Sequence, residues 1–375
     1  MVSYFPSRYN FLTKYNNNLL LYNSLSGKII CLQNAPISDL KFLEDDKKIN
    51  LGQKSSLVKT LHKYRFIYSN EDEEREQVSA IYKNCIESKE LFLEILPTEQ
   101  CNFRCSYCYE SYCSKGMDQT SIHNLIEFVE EKISGCTALR IAWFGGEPML
   151  ELNTIEILSE KFIAICKREK IPYYASMTTN GYFLQLDKWE RLKKCRIFDY
   201  QISVDGLANV HNNQRFLANG EGTWEMIINN LKSFRDQINS SIFSLMIRIN
   251  ITKPIYDDRL NTLKYFQKEF SKDKRFHFFF HLAEDWGNAN DANVKEKFCG
   301  TEEFYTVIEQ AAKLGLKMPV FKFFLTPGSR VCFAAKKNSY VITPEGAIRK
   351  CSLRLNDENN KIGNVNITPV YNFYK

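Results

Sequence analysis

Between residues 90 and 282 the sequence alternates short apolar runs with segments of helical periodicity. The strand candidates lie at 91–98, 138–144, 173–180, 198–204, 243–251 and 275–282. The helix candidates lie between them, at 121–133, 154–169, 185–194, 223–237 and 257–270. Such alternation joins parallel strands through helical crossovers, so we predict an α/β fold with a partial (β/α)6 barrel. Ligands of these folds bind at the carboxyl ends of the strands, which makes the segments after each strand the place to look for a site.

Two regions of different character flank this core. In residues 1–88, apolar runs around a turn signal predict a hairpin at 19–32, followed by helices near 55–64 and 74–88. This pattern is typical of a small winged-helix-like module. The tail carries a second hairpin signal at 340–351, around Pro344-Glu345-Gly346. The predicted domains are therefore an N-terminal module (1–88), an α/β core (89–290) and a linker with a partial C-terminal domain (291–375).

Composition narrows the class of protein. The net charge is only +6 and the basic residues are scattered, so no nucleic-acid footprint is present. No run of about 18 apolar residues predicts a membrane span, and the N-terminus does not read as a signal peptide, so we expect a cytoplasmic protein. Twelve cysteines in a reducing compartment then indicate metal binding or catalysis. Six scattered ones are expected to be small buried hydrophobic residues: Cys31, Cys85, Cys113, Cys136, Cys166 and Cys195.

A cluster of three cysteines follows the first core strand. LPTEQCNFRCSYCYE (96–110) places Cys101, Cys105 and Cys108 in a CxxxCxxC spacing. Three thiolates on a short loop can bind three separate irons of a [4Fe–4S] cube, leaving the fourth iron open. An open position on a metal is typical of catalysis, whereas structural sites are closed. A zinc site with Cys113 as the fourth ligand is the alternative that the spacing leaves open.

Polar motifs follow the next strands as well. In WFGGEPML (143–150), Gly145 and Gly146 allow close approach to a ligand, and Glu147 can accept from an ammonium group. TTNG (178–181) and ISVDG (202–206) place Thr179, Asn180 and Ser203 at strand ends, where their side chains suit ribose hydroxyls. Asp205 suits either a ligand contact or a structural role. Arg248 on the fifth strand suits a carboxylate through its bidentate fork. The segment after the sixth strand offers His281, Glu284 and Asp285 as substrate contacts.

These motifs together resemble the signature of the radical S-adenosylmethionine (SAM) superfamily. CNFRCSYCYE carries its three cysteines with an aromatic residue, Tyr107, before the last. The resemblance implies a [4Fe–4S] cluster whose open iron chelates SAM, and an electron that cleaves SAM to a 5′-deoxyadenosyl radical. It implies that the GGE motif contacts the methionyl amino group and that Arg248 pairs with the methionyl carboxylate. TTNG, ISVDG, His211 and Arg215 are similar to one branch of the superfamily, in which Ser203 matches a SAM-contacting serine.

The tail resembles the opening of the SPASM extension, which binds auxiliary Fe–S clusters in peptide- and protein-modifying members. Cys332, Gly346 and Cys351 match its Cx13GxxxxC pattern, but the later cysteine-rich segment is missing before Lys375. Two thiolates cannot complete a cluster that needs four, and Cys299 lies outside the pattern. We therefore expect a truncated SPASM-like extension, with an auxiliary cluster only if a longer form supplies more cysteines.

The resemblance implies a maturase that modifies a ribosomally made peptide by crosslinking or oxidation. It implies a peptide or protein partner, read by the 1–88 module, and an electron donor such as flavodoxin or ferredoxin. An anaerobic sulfatase (formylglycine) maturase is one alternative. It is opposed by Ser352, which stands where those enzymes carry an aspartate base. A non-catalytic metal-binding scaffold or regulator is the alternative outside enzymes. The sequence leaves the catalytic residues themselves unassigned.

Overall fold

The computed structural model describes residues 2–33, 40–44, 49–51, 56–113, 116–285, 294–319 and 331–367. They form two compact units. The first contains the described residues up to Ser88 together with 331–337, and the second contains those of 89–319 and 338–367.

The first unit contains two three-stranded antiparallel sheets and two helices. Strands β1 to β6 and helices α1 and α2 are, in chain order, Val2–Pro6 (β1), Asn10–Tyr15 (β2), Asn18–Asn23 (β3), Lys28–Gln33 (β4), Ile49–Leu51 (β5), Ser56–Lys63 (α1), Ile67–Tyr68 (β6) and Glu71–Ile86 (α2). The sheet orders are β2-β3-β4 and β5-β1-β6. Strands β3 and β4 form the predicted hairpin. Leu19 and Leu21 alternate with more exposed neighbours, as expected for a strand with one buried face.

The second unit is built on six parallel strands. They are Glu90–Ile95 (β7), Ala138–Trp143 (β8), Tyr173–Thr179 (β9), Ile197–Ser203 (β10), Ser244–Ile251 (β11) and Phe276–Leu282 (β12). Each pairs in parallel with the next, in the order β12-β11-β10-β9-β8-β7. Along β8, β9, β10 and β12 buried residues alternate with more exposed ones, as expected for strands with one fully covered face. The predicted α/β fold with strand–helix alternation is confirmed.

The helices of this unit lie between and after the strands. They are Gln119–Lys132 (α3), Leu152–Glu169 (α4), Leu186–Lys194 (α5), Ala208–Asn212 (α6), Trp224–Gln237 (α7), Lys253–Asp257 (α8), Arg259–Phe270 (α9) and Thr301–Lys313 (α10). The single helix predicted over 257–270 is in fact preceded by the short α8, which ends at Asp257. Pro254 lies in the first turn of α8, where its missing N–H costs nothing.

The tail adds three strands to the same sheet. Ser339–Ile342 (β13) runs parallel to β7, and Ala347–Arg349 (β14) and Lys361–Asn364 (β15) follow in antiparallel order. The hairpin predicted around Gly346 is confirmed, and Gly346 has a φ of 78°, which favours glycine. The pairing with β7 places the segment after β14 beside the first core strand.

The scattered cysteines divide by the face on which they lie. Cys166 and Cys195 are buried as expected, and Cys85 and Cys136 are half-buried. The expectation of burial was wrong for Cys31 and Cys113, which are exposed. Cys31 lies on β4 between two half-buried residues and therefore points to the opposite, solvent-facing side of that strand.

Candidate functional site

The three cysteines of the CxxxCxxC motif lie on the loop that follows β7. Cys101, Cys105 and Cys108 all line one cavity of about 120 Å³ at the carboxyl end of the sheet. A turn joins the last two, since the backbone N–H of Cys108 donates to the carbonyl of Cys105 at 3.2 Å. The structure thus brings the three predicted cluster ligands together around one space.

Backbone hydrogen bonds to a distant segment hold this loop in place. The N–H of Arg104 donates to the carbonyl of Phe216 at 2.8 Å, and the N–H of Ala218 donates to the carbonyl of Asn102 at 2.9 Å. The segment 214–218 therefore acts as a strand-like support for the cysteine loop. Because backbone bonds do not depend on side-chain identity, the motif alone gave no signal of this support.

The Gly-Gly pair lies against the residues that lead into the cysteine loop. Gly145 has a φ of 112°, and a Cβ there would stand 2.4 Å from the carbonyl oxygen of Thr98. A Cβ on Gly146 would stand 2.3 Å from the carbonyl oxygen of Gln100 and 2.4 Å from that of Glu99. Both glycines line the cysteine cavity. Glycine is required because the two backbones approach too closely for any side chain.

The electrostatics of the cavity determine the state of the thiols. Burial raises the pKa of all three cysteines, that of Cys105 to about 12. The thiolate is the form that binds metal, so a cation such as iron is needed to favour it here. Among the described residues, no three His, Cys, Asp or Glu side chains are arranged around a single ion. A [4Fe–4S] cube makes a different demand, since each thiolate binds its own iron. Three thiols around one glycine-walled cavity fit a cluster with three protein ligands.

The carboxylate of Glu147 is hydrogen-bonded to groups of the protein itself. Its fully buried carboxylate accepts from the N–H of Met149 at 3.0 Å, the hydroxyl of Thr179 at 2.7 Å and the N–H of Asn180 at 2.7 Å. These bonds tie the turn after β8 to the end of β9. The cysteine cavity is lined by Gly145, Gly146, Thr179 and Asn180, whereas Glu147 is not among the described residues that line it. Its contact with an ammonium group stays a prediction.

Tyr107 is the centre of a buried polar network. Its hydroxyl donates to the carboxylate of Asp205 and accepts from the guanidinium of Arg215 at 2.7 Å and the amide of Asn250 at 3.1 Å. Asp205 also accepts from the backbone N–H of Asn250 at 2.8 Å. The loop of the cysteines is thereby fastened to the ends of β10 and β11. Asp205 is fully buried, which agrees with its structural role rather than a ligand role.

His211 stabilises this network through hydrogen bonds of both ring nitrogens. Its Nδ1 accepts from the N–H of Asp205 at 3.1 Å, and its Nε2 lies 3.0 Å from the hydroxyl of Thr223. That hydroxyl donates to the carbonyl of Arg215 at 2.7 Å. The ring therefore carries its proton on Nε2 and is neutral, and burial lowers its pKa well below the usual value. The spacing of His211 and Arg215 after ISVDG indicated their association but not these partners.

A second cavity adjoins the first. It measures about 410 Å³ and shares Tyr107, Cys108, Thr178, Ser203 and Arg215 with the cysteine cavity. Its further walls come from the ends of β7, β11 and β12 and from the segment after β14. Most of the predicted ligand residues thus line two adjoining spaces, one around the thiols and one at the strand ends.

Arg248 and His281 lie in the second cavity. The Nε of Arg248 donates to the amide oxygen of Asn250 at 2.8 Å, and burial lowers the pKa of the guanidinium. Burial and the charge of Arg248 lower the pKa of His281, which favours the neutral ring. Glu284 lines this cavity, whereas Asp285 lines a different one of about 700 Å³ together with Cys351.

Two buried acids in the site were missed by the sequence reasoning. Glu94 on β7 and Glu110 after the cysteine loop are each 9% exposed, and each has one carboxylate oxygen without a hydrogen-bond partner among the described residues. Burial raises the pKa of Glu94 to about 7, and burial with nearby carboxylates raises that of Glu110 to about 8. The one available signal was a charged residue inside the apolar run LFLEIL.

The cysteines of the tail belong to different units. Cys332 is exposed and lies in the first unit, whereas Cys351 is half-buried and lies in the second. Their participation in an auxiliary cluster stays a prediction. No helix among the described residues is long and apolar enough to cross a membrane.

Comparison with family models places residues 95–253 in the radical SAM superfamily. The chain is 28% identical over 182 residues to the GTP 3',8-cyclase of Campylobacter fetus subsp. fetus, covering 48% of this chain and 52% of that protein. It is 31% identical over 157 residues to the cysteine-type anaerobic sulfatase-maturating enzyme of Clostridium novyi, covering 38% and 40%. The matched part therefore spans about half, or less, of these two relatives.

Two solved structures share the fold. The complex of anSMEcpe with AdoMet and the Cp18Cys peptide superposes with a TM-score of 0.60 at 19% identity, covering 74% of this chain and 78% of that one. The complex of Streptococcus suis SuiB with its precursor peptide SuiA gives a TM-score of 0.52 at 17% identity, covering 97% and 86%.

Proposed function

Because residues 95–253 form a domain of the radical SAM superfamily, we propose that this chain cleaves SAM reductively and uses the resulting radical to modify a peptide. The observation that carries the proposal is the convergence of Cys101, Cys105 and Cys108 on one cavity that adjoins a larger one. A [4Fe–4S] cluster held by these three thiolates would supply the electron for reductive cleavage of SAM to methionine and a 5′-deoxyadenosyl radical, and that radical would take a hydrogen atom from the substrate.

The residues around the cluster would bind and orient SAM. Gly145 and Gly146 leave room for its methionyl amino end, and Arg248 suits its carboxylate. Thr179, Asn180 and Ser203 line the same cavity with hydroxyl and amide groups, which suit the ribose. Tyr107 holds the loop through its buried network.

A peptide substrate is supported by two features. Two of the solved structures that share the fold are complexes with peptides. The first unit also offers a cavity of about 350 Å³, lined by aromatic and charged side chains such as Tyr9, Tyr68, Arg75 and Tyr82. Aromatic side chains with a charged rim are typical of peptide-binding grooves, and short exposed strands of such a module accept an added peptide strand. We assign leader-peptide recognition to this unit as part of the proposal.

The first test is anaerobic reconstitution with iron and sulfide, followed by assay of 5′-deoxyadenosine under reduction. Flavodoxin or ferredoxin would serve as the electron donor. Wild type should form deoxyadenosine, C105A should lose it, and C31A, which removes an exposed thiol far from the motif in sequence, should keep it. Undiminished product from C105A would contradict the cluster assignment. Stoichiometric zinc without Fe–S absorption would favour the metal-binding scaffold.

The second test identifies the substrate class. Co-expression with a short peptide encoded beside the gene should change the peptide's mass, and an unchanged mass in a cluster-competent background argues for another substrate. The sulfatase maturase is favoured by the relative from Clostridium novyi. Formylglycine in a co-expressed sulfatase would establish it, despite Ser352. Deoxyadenosine formation coupled to GTP would instead favour the small-molecule activity of the Campylobacter relative.

A further inference from the structure

Glu94 is a buried acid at the wall of the second cavity. It lies next to last on β7, opposite Ala142 of β8 and Val341 of β13. The residue is 9% exposed, and it lines the cavity of about 410 Å³ that adjoins the cysteine site. An acid within a parallel sheet is costly unless something compensates it, so its presence calls for a physical explanation.

The protein compensates this carboxylate only in part. The hydroxyl of Ser352 hydrogen-bonds to it, while Oε1 is buried and has no partner in the described part of the chain. No ion pair within the described ranges includes Glu94, and its pKa rises to about 7 because of burial. The unpartnered oxygen therefore leaves one acceptor position on the cavity wall for a donor that comes from outside.

The charges around this position indicate which donor. Glu284, which is exposed, lines the same cavity. The two arginines of that lining, Arg215 and Arg248, donate to other side chains of the protein. Neither arginine is hydrogen-bonded to Glu94 in the described part of the chain, so the open acceptor of this carboxylate favours a cationic partner from outside over a neutral one.

We propose that Glu94 binds a primary ammonium group of the substrate, of the kind carried by lysine, in the cavity beside the cysteine site. This inference rests on the proposed function, because it takes the second cavity as the substrate pocket. The ion pair fills the open position on Oε1 and holds the substrate's aliphatic stem within the cavity. Glu94 is then a specificity-determining residue. A charged hydrogen bond of this kind contributes about 1.5–3 kcal/mol, which is about a tenfold to hundredfold preference.

Equilibrium dialysis on the reconstituted holoenzyme with SAM tests the pairing without turnover. The probes are Nα-acetyl-lysine methylamide and Nα-acetyl-norleucine methylamide, which differ by the ammonium group. We expect wild type to prefer the lysine probe at least about tenfold. E94D should keep most of this preference and E94Q should lose it, while E160Q, at an exposed position on α4, should match wild type. A purely structural role for Glu94 would weaken both probes equally.

Equal binding of the two probes to wild type would overturn the proposal, as would an unchanged preference in E94Q. The second outcome would mean that the charge of Glu94 does not select the ammonium group, since glutamine keeps an acceptor oxygen but carries no charge.

A turnover measurement separates this inference from the function on which it rests. With a side-chain-deuterated lysine probe, a larger fraction of the 5′-deoxyadenosine should carry deuterium in wild type than in E94Q, while E160Q should match wild type in this fraction and in the deoxyadenosine formed without probe. If wild type forms no deoxyadenosine, the radical SAM proposal fails and the dialysis still decides the role of Glu94. If deoxyadenosine forms but carries equal deuterium in both proteins, the ammonium pocket is refuted and the radical chemistry stands.

Discussion

Replacement of Gly146 by alanine should displace the cysteine loop without removing any ligand. The added Cβ would stand 2.3 Å from the carbonyl oxygen of Gln100 and 2.4 Å from that of Glu99. An ordinary carbon–oxygen contact is about 3.3 Å, so the two backbones must separate by about 1 Å. Neither contact can be relieved by a side-chain rotation, because both atoms belong to the backbone. The shift is transmitted directly to Cys101, the next residue along the chain.

Two magnitudes follow from this shift. Overpacking of this kind costs about 1–3 kcal/mol of unfolding free energy. A displacement of about 1 Å in a catalytic constellation costs about a hundredfold in rate. We therefore expect G146A to lower the unfolding temperature, to bind less iron and sulfide after reconstitution, and to form deoxyadenosine about a hundredfold more slowly.

Gly135→Ala is the matched control. Gly135 has a φ of 76°, so alanine is strained there, but nothing lies within 4 Å of the added Cβ. This variant should lose about 1–2 kcal/mol of unfolding free energy and keep full cluster content and activity. A G146A protein with normal iron content, normal unfolding temperature and normal turnover would refute the reasoning, because it would show that the two backbones have room to separate.

Further predictions concern the buried network behind the loop. Y107F removes a hydroxyl bonded to three partners and should lower the free energy of unfolding in urea by about 1–3 kcal/mol. Y305F, at an exposed position, should leave the free energy of unfolding almost unchanged. Equal urea midpoints for the two variants would contradict this prediction. Because the pKa of His211 is lowered in the fold, only the unfolded chain takes up that proton below about pH 6.5. Stability should therefore fall with decreasing pH by up to about 1.4 kcal/mol per unit from this group, and H211Q should flatten the profile between about pH 7.5 and 5.5. Parallel profiles for wild type and variant would show that the ring is not held neutral.

The strands and the ligand positions were predictable for a physical reason. A strand with one fully covered face needs apolar residues at alternate positions, and each strand here is followed by glycine or polar residues close to its end. The six predicted strands accordingly match β7 to β12 within a few residues. The cysteine loop was predictable because its three thiols are neighbours in sequence.

Long-range partners were not predictable in this way. The donors to Glu147 include Thr179 and Asn180, which come from another strand end, and the support of the cysteine loop comes from 214–218. Neither pattern nor propensity encodes these pairings, since they depend on which strand ends meet in space. The burial of Glu94 was missed for the same reason: its surroundings include Ser352, from the tail of the chain.

The pairing of β13 with β7 sets an order of assembly. The N–H of Phe92 donates to the carbonyl of Asn338, and that of Leu96 donates to the carbonyl of Ile342, both at 2.9 Å. During translation the first core strand emerges long before this neighbour exists, and one of its edges stays open until β13 has been synthesised. The described residues that line the cysteine cavity all lie between Cys101 and Arg215, whereas Ser352 and Leu353 line the second cavity. We therefore expect the walls of the second cavity to be completed later than those of the cysteine cavity.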